Sequence, residues 1–261
     1  MTTEEPERRR RPILRILAIV GLVLVVLAAV SVVSWALRTT TTDSVSVAEP
    51  YDRVEIDVSV GEVIIEARDG DDTTLAYRAE SGPWRDAEVS HRVDGGLLVI
   101  DADCGGFLQL SFGYCRIDVT LTVPPDVDVV AKSSAGRVIA TGLQGAADLS
   151  SSAGRVDVRD HAGQLRAHSS AGTVVVEGLA SDDAEISSSA GVVEVTAVEP
   201  PRNLVAESSA GEVRVRLPDE AYDLEADTSA GDVRIEVPTD PDSEYHVRVH
   251  SSAGDVTVTA G

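Results

Sequence analysis

A phrase of the form S-S-A-G-x-V returns seven times in the second half of the chain, once with threonine first, and it constrains the fold more than any other feature. Successive glycines of the phrase lie 18, 18, 19, 20, 20 and 23 residues apart. Self-similarity at this period predicts a solenoid of stacked repeats, because one such unit cannot bury its apolar side chains alone. The seven glycines are Gly136, Gly154, Gly172, Gly191, Gly211, Gly231 and Gly254.

Apolar side chains alternate on both sides of every glycine. In the fifth copy, Leu204, Ala206 and Ser208 precede Gly211 at every second position, and Val213 follows it. A period of two predicts strands with one buried face, so the fold class is all-β, a β-solenoid of repeats of about 18–20 residues. The alternation breaks at the glycine, which predicts a corner where glycine tolerates positive φ or close backbone approach. The first serine and the alanine of each copy are expected to face inward.

The second serine of each copy is expected to point outward and to form a column along the stack. A nucleophilic serine needs a base within hydrogen-bond distance, and no histidine or carboxylate follows the same frame in every copy. We therefore predict no catalytic residue. The column consists of Ser134, Ser152, Ser170, Ser189, Ser209, Ser229 and Ser252.

The region before the repeats predicts a cap. A degenerate copy, VEIDVSVGEVII, begins at Val54 and keeps the inward frame around Gly61. The period is then lost, so residues 51–128 are assigned to an atypical β cap and residues 129–261 to the seven repeats. Because no such cap follows the last copy, we expect a strand edge at the C-terminus that either frays or recruits a partner or a second copy.

The only two cysteines, Cys104 and Cys115, lie in the cap. Outside the cytoplasm a pair of thiols indicates a disulfide, which across so short a loop stabilises the fold by about 3 kcal/mol. A metal site is the alternative, but two cysteines without a neighbouring histidine make a poor one.

The N-terminal segment predicts a membrane anchor. The 22 residues of Ile16–Leu37 carry no charge, and Arg8–Arg11 and Arg15 precede them. A helix of this length spans about 33 Å, enough for a bilayer core, and the positive-inside rule places the N-terminus in the cytoplasm. We expect a tail over 1–15, a transmembrane helix over 16–38, a polar linker over 39–50 and an extracellular domain over 51–261. A cleaved signal peptide is the alternative.

The charge distribution excludes one class of partner. The chain has a net charge of −22, although residues 1–38 hold six arginines against three glutamates. Polyanions are repelled by so acidic a surface, so we predict no nucleic-acid binding.

A basic N-terminus, one apolar segment, the strand Ile117–Pro124 and then iterated S-x-A-G-x-V-x-V resemble the bacterial DUF4097 family over about residues 50–261. That family is labelled "putative adhesin". The resemblance implies a β-solenoid-like envelope protein, in some cases encoded beside envelope-stress regulators. It implies no catalytic residue and no cofactor.

Histidines and acidic loops predict no metal centre. His246 and His250 lie four residues apart on one strand, roughly 13 Å, which is too far to chelate one zinc ion directly, and both are expected to face solvent. The loops RDGDD and TDPDSE match no calcium-binding pattern, although weak calcium binding stays open as an alternative. Trp84 and Tyr114 make the cap the first place to look for a ligand site.

Three functions fit these patterns. The first is a membrane-anchored, extracellular repeat domain that serves as a non-catalytic, adhesin-like surface for an envelope protein or glycan. The alternative is an envelope-stress sensor or accessory protein that contacts a membrane regulator. The third is a carbohydrate-active enzyme, which requires a carboxylate pair in a groove. The outward side chains of the second strands are mixed in character instead, and Glu194 and Arg214 are expected to pair between neighbouring repeats.

Overall fold

The computed structural model describes residues 19–26, 28, 29, 32, 37–70, 72–105 and 114–261. The predicted tail over 1–15 lies outside the described residues, as do parts of the predicted 16–38 helix and Asp71 of the first acidic loop. Within the described residues the chain forms 19 strands in two sheet layers. Each repeat gives one strand to each layer, and the corner glycine joins them, so the all-β prediction is confirmed.

The first layer collects the strands that precede the corner glycines. Its first two strands are antiparallel to each other, and all its other neighbouring strands are parallel. In spatial order, with strands numbered along the chain, it contains β5 (Asp86–Asp94), β6 (Leu97–Gly105), β2 (Arg53–Val60), β8 (Asp128–Thr141), β9 (Ala147–His161), β10 (Leu165–Ala171), β12 (Asp183–Ala190), β14 (Asn203–Ala210), β18 (His246–Ser251) and β16 (Asp223–Thr228).

The second layer collects the strands that follow the glycines, and it shares β8 and β9, which run through their corners without a break. Its first three strands alternate in direction, and all its other neighbouring strands are parallel. In order it contains β1 (Thr39–Val47), β4 (Thr73–Ser81), β7 (Cys115–Val123), β3 (Val63–Ala67), β8, β9, β11 (Val174–Leu179), β13 (Val193–Ala197), β15 (Val213–Leu217), β19 (Val256–Ala260) and β17 (Val233–Glu236).

The core lies between the two layers and follows the predicted frame. Leu204, Ala206, Ser208 and Val213 are all buried, and every other repeat except the sixth buries the equivalent positions. One part of the frame is wrong, because the alanine before each corner glycine is exposed rather than inward, as at Ala210. The backbone changes direction at the corner before the glycine is reached, so parity counted from the strand does not extend to the alanine.

The repeats do not stack in chain order at the far end. Strand β18 of the seventh repeat lies between β14 of the fifth and β16 of the sixth, and β19 lies between β15 and β17. The expectation of a strand edge at the C-terminus is therefore wrong: the unpaired edge belongs to the sixth repeat. Charge favours this order, because the seventh repeat places basic side chains beside the acidic strand β16, whereas β16 beside β14 would bring Asp227 opposite Glu207.

The predicted linker over 39–50 is largely a strand. Residues Thr39–Val47 form β1, which pairs with β4 along all nine residues, from Thr39 opposite Ser81 to Val47 opposite Thr73. Threonine and valine favour extended backbone, and the neighbouring edge of β4 provides the hydrogen-bond partners. Composition suggested a polar linker, but tertiary pairing determines the structure.

Residues 19–26 are helical and expose apolar side chains, among them Leu22 and Val25. Among the residues that the structure describes, no helix is both long enough and apolar enough to cross a membrane.

Candidate functional site

The corners of the stack are tied together by the inward serines. Each hydroxyl donates a hydrogen bond to the carbonyl oxygen of the corner glycine in the preceding rung, for example Ser188 Oγ to Gly172 O at 2.9 Å and Ser208 Oγ to Gly191 O at 2.9 Å. Thr228 of the sixth repeat donates to Gly254 of the seventh, which follows the spatial order rather than the chain order. The repeated serine is thus a structural residue. The alternation in the sequence predicted that this serine faces inward, but its hydrogen-bond acceptor is evident only from the stacked structure.

Close approach between rungs explains why glycine occupies every corner. A Cβ built on Gly136 would lie 1.7 Å from the carbonyl oxygen of Gly61, and one on Gly211 would lie 1.9 Å from that of Gly191. Both backbones also have positive φ, at 153°. At each of the eight predicted corner glycines, which include Gly61 of the degenerate copy, a built Cβ would lie 1.7 to 2.3 Å from a backbone carbonyl oxygen of an adjacent rung or strand.

A cleft of about 650 Å³ lies where the cap meets the first rungs. The corner glycines Gly61, Gly136 and Gly154 are among the residues that line it. Its remaining lining includes Tyr114 and Cys115, together with four charged side chains: Glu62, Arg116, Arg137 and Arg155.

Carboxylates hold the three arginines of the cleft in place. Arg155 Nε lies 2.6 Å from Asp157 Oδ1, and Arg137 Nε lies 3.3 Å from Asp157 Oδ2. Arg116 Nε lies 2.8 Å from Asp118 Oδ1. Asp157 is buried, whereas the three arginine side chains are between 42% and 49% exposed. Asp157 and Asp118 therefore orient the three guanidinium groups, and Glu62 Oε1 lies 3.8 Å from Arg137 Nη1 as well.

Tyr114 forms the cap wall of the cleft. Its hydroxyl donates a hydrogen bond to Glu80 Oε2 at 3.2 Å, and the guanidinium of Arg38 lies 4.8 Å from its ring centroid. Burial, and then the contact with Glu80, raise the pKa of Tyr114 above its ordinary value. The hydrogen bond from Arg78 lowers the pKa of Glu80, so the carboxylate stays charged. The tyrosine is accordingly neutral and fixed, and its ring carries a cation on one face.

The predicted disulfide is present beside the cleft. Cys104 of β6 and Cys115 of β7 are bonded, with 6.0 Å between their Cα atoms and a sequence separation of 11. Arg85 donates to the carbonyl oxygen of Cys104 at 2.7 Å. The disulfide thus fixes the start of β7, and with it Tyr114, against the cap. Trp84 is 46% exposed and is not among the residues that line the cleft.

The exposed histidines have carboxylate partners. His246 Nδ1 lies 2.9 Å from Asp223 Oδ2, and His250 Nδ1 lies 2.8 Å from Asp227 Oδ2. Both partners come from the neighbouring strand β16, and both histidines face away from the core, as the alternation predicted. In the described part of the chain, no group of three or more histidine, cysteine or acidic residues is arranged to hold a metal ion.

One arrangement escaped the sequence analysis. His250 Nε2 also lies 3.4 Å from Ser252 Oγ, so Ser252, His250 and Asp227 are connected in the order of a hydrolase triad. The carboxylate belongs to the sixth repeat, which lies beside β18 only because the sixth and seventh repeats do not stack in chain order. The alternation within one repeat therefore could not reveal this arrangement. The Asp227 side chain is 58% exposed, whereas the carboxylate of a catalytic triad is buried.

The expected pair of Glu194 and Arg214 is present, with 2.6 Å between Oε1 and Nη1. It joins neighbouring rungs on the outside of the second layer. With Arg214 also bound to Glu212, this surface is a mixed ionic ladder.

Comparison with known proteins identifies the family. The Toastrack DUF4097 family matches residues 51–260. The chain belongs to the Toastrack DUF4097 family. The resemblance noted in the sequence is thereby confirmed, and β1 lies before the matched region. A search of curated proteins finds no match.

Several solved structures are similar to this Toastrack chain. A "putative cell adhesion protein" from Clostridium sporogenes has 14% identity and a TM-score of 0.42, covering 85% of this chain and 100% of its own. A "putative adhesin" from Parabacteroides distasonis has 14% identity and a TM-score of 0.46, covering 84% and 97%. A "putative lipid binding protein" from the same species has 14% identity and a TM-score of 0.41, covering 84% and 96%.

Proposed function

We propose that this Toastrack protein is a membrane-anchored, extracellular binding module without catalytic activity, and that its cleft binds the anionic group of an envelope component. The observation that carries the proposal is the grouping of Arg116, Arg137 and Arg155 around one cavity. Beyond residue 38 the chain has 22 − 6 = 16 basic and 44 − 3 = 41 acidic residues, a net charge of −25. Three arginines at one cavity in such a domain favour a ligand that carries phosphate or carboxylate.

The chemistry of the cleft suits recognition. A guanidinium presents a planar fork of donors that matches two oxygens of a phosphate or a carboxylate. Because Asp157 and Asp118 fix three guanidinium groups before a ligand arrives, little side-chain entropy is lost on binding. The carboxylates also neutralise the arginines, so net charge alone does not hold a ligand there. The cleft instead favours a ligand that displaces these carboxylates or shares the guanidinium groups with them.

The anchor is supported by the uncharged Ile16–Leu37 segment and by the exposed apolar side chains of residues 19–26. Strand β1 begins at Thr39, directly after that segment, and belongs to the cap side of the second layer. Arg38, between them, lies over Tyr114 of the cleft. In the proposed topology the cleft therefore lies near the extracellular surface of the membrane that holds the anchor, where lipid phosphates and envelope glycans are both within reach.

Photo-crosslinking in cells that express the full-length protein tests this proposal. A benzophenone amino acid replaces Tyr114 in the cleft, and in a matched control it replaces Ser209 in the outward serine column. We expect an adduct from position 114 that is absent from position 209. Equal adducts at both positions, or none at position 114, would contradict the cleft as a binding site.

The nature of that adduct separates the two non-catalytic functions. A lipid or glycan bearing phosphate or carboxylate supports the surface-binding, adhesin-like function. A single membrane protein with a regulatory domain supports the alternative, an accessory of an envelope-stress sensor.

Ser252 tests the non-catalytic part of the proposal. Its connection to His250 and Asp227 lies on an open sheet surface where water screens the charges, so we expect the hydroxyl not to be activated. A fluorophosphonate probe should leave the native protein unlabelled. Labelling that Ser252→Ala abolishes and Ser209→Ala leaves intact would show an activated serine and refute this part.

A further inference from the structure

The sixth repeat forms an open edge at the end of the stack opposite the cap. Among the described residues, β16 pairs only with β18, and β17 pairs only with β19. The outer sides of β16 and β17 thus present backbone N–H and C=O groups without strand partners. We call this surface the outer edge. An edge of this kind is a template for a further strand.

Core positions are exposed at the outer edge. Val233 and Ile235 are 42% and 44% exposed, whereas Val256 and Val258, their register partners in β19, are fully buried. In the alternation of the repeat, all four side chains occupy positions that point into the core between the two sheet layers. The terminal pair is exposed because no further rung covers it, so an added rung would bury apolar surface as well as satisfy backbone groups.

The charge pattern of the outer edge selects the kind of strand that fits. Every outward residue of β16 is acidic, and each is paired with a basic residue of β18 at 2.8 to 3.0 Å. Cross-strand pairs of opposite charge stabilise a sheet, and like charges opposite each other destabilise it. The three pairs are Asp223 with His246, Glu225 with Arg248 and Asp227 with His250.

The same pattern disfavours a second copy of this chain at the edge. In a two-fold dimer β16 would pair with β16 of the other copy. Since Asp223, Glu225 and Asp227 are all acidic, every register that keeps the outward faces of the two strands aligned places carboxylate beside carboxylate. The β16 part of the outer edge therefore repels a second copy of itself.

We propose that the outer edge binds an extended segment of a partner protein that carries basic residues at alternate positions, as β18 does. The segment adds a strand to β16, its basic side chains bind the acidic row from the free side, and its apolar side chains cover the inner face of the terminal rung. This inference goes beyond the anion-binding cleft and does not depend on it, because the two surfaces lie at opposite ends of the stack.

The position of the outer edge suits contact with another protein. Seven rung spacings separate the degenerate copy from the sixth repeat, which at about 4.8 Å each amounts to about 34 Å. With the cap at the membrane, the outer edge points away from the bilayer.

A peptide-binding measurement on the full-length protein in detergent tests the inference. The probe is a labelled peptide with the sequence of residues 244–261, and the control peptide replaces its two histidines and its arginine with glutamine. At a pH of about 6, where free imidazole is largely protonated, we expect the basic peptide to bind at least about tenfold more tightly than the control.

Two protein variants locate the binding. Ile235→Lys adds a charge on the outer edge, whereas Val198→Lys adds the same charge at an exposed valine elsewhere. We expect Ile235→Lys to weaken peptide binding about tenfold or more and Val198→Lys to leave it unchanged. A thermal melt confirms that both variants are folded.

Two results would overturn the inference. One is equal binding of both peptides, or of the basic peptide to both variants. The other is a dimer in the absence of peptide that Ile235→Lys converts to monomer, since the edge would then be occupied by a second copy.

Discussion

Replacing Gly211 with alanine tests the stacking of the corners. The new Cβ would lie 1.9 Å from the carbonyl oxygen of Gly191, and Cβ contacts below 3.0 Å essentially do not occur, so the rungs must separate by at least 3.0 − 1.9 = 1.1 Å. This separation breaks hydrogen bonds between the rungs: Ser208 Oγ to Gly191 O at 2.9 Å and Gly191 N to Ala210 O at 2.9 Å.

The cost follows from these contacts. Two lost hydrogen bonds contribute about 1 kcal/mol each, and a non-glycine residue at this φ adds about 1–3 kcal/mol. We therefore expect Gly211→Ala to lower the free energy of unfolding by about 3–5 kcal/mol. Denaturant unfolding of the full-length protein in detergent, followed by circular dichroism, measures the change.

Two further glycines provide controls. Gly95 has a positive φ of 59° but no neighbouring atom within 4 Å of a built Cβ, so Gly95→Ala should cost only about 1 kcal/mol. Gly231 lies in the terminal rung, which has no rung outside it and is free to shift, so Gly231→Ala should cost less than Gly211→Ala. If Gly211→Ala destabilises the protein no more than Gly95→Ala does, the proposed close approach of the corners is refuted.

Three other changes test separate parts of the fold. Ser188→Ala removes the hydroxyl donor to the corner carbonyl and should cost about 1 kcal/mol in denaturant unfolding, whereas Ser189→Ala, its outward neighbour, should be neutral; equal effects would contradict the assigned bond. Reduction of the Cys104–Cys115 disulfide should lower the free energy of unfolding by about 3 kcal/mol, and the same reductant should not affect a Cys104→Ser, Cys115→Ser variant. A double variant as stable as the oxidised protein would contradict this. Burial lowers the pKa of His161, so protonation favours unfolding and the melting temperature should fall as pH drops below about 6.5; His161→Leu should abolish this pH dependence, and a dependence unchanged in the variant would contradict it.

The repeat made much of the fold predictable. Alternation around each glycine identified the buried valines, and the glycine itself identified the corner. These features are local, because strand parity and the conformational freedom of glycine act within a few residues. The exposed Ala210 shows the limit, since parity fails where the chain bends.

The order of the rungs was not predictable from the repeat. All seven copies have the same apolar frame, so hydrophobic pattern alone gives no preference for one neighbour over another. Only side chains outside that frame, such as Arg248 beside Glu225, distinguish one neighbour from another. The edge was therefore assigned to the wrong repeat.

The cleft was only partly predictable. Tyr114 was singled out as a cap aromatic, but Arg116, Arg137 and Arg155 come from three different rungs or strands and converge only through stacking. Asp157 belongs to the outward row of the second strands, which the sequence showed only as mixed in character. Its burial between two guanidinium groups depends on arginines that follow successive corner glycines.

The most direct test of the proposed binding function is the yield of the position-114 adduct in cells that carry Arg137→Gln, compared with Arg216→Gln. Arg137 lines the cleft, and Arg216 is an exposed arginine on β15 outside it, so the two variants lose the same charge. We predict that Arg137→Gln lowers the yield about tenfold, in line with the loss of a charged hydrogen bond, and that Arg216→Gln leaves it unchanged. Equal yields in the two variants would show that the arginines of the cleft do not bind the ligand.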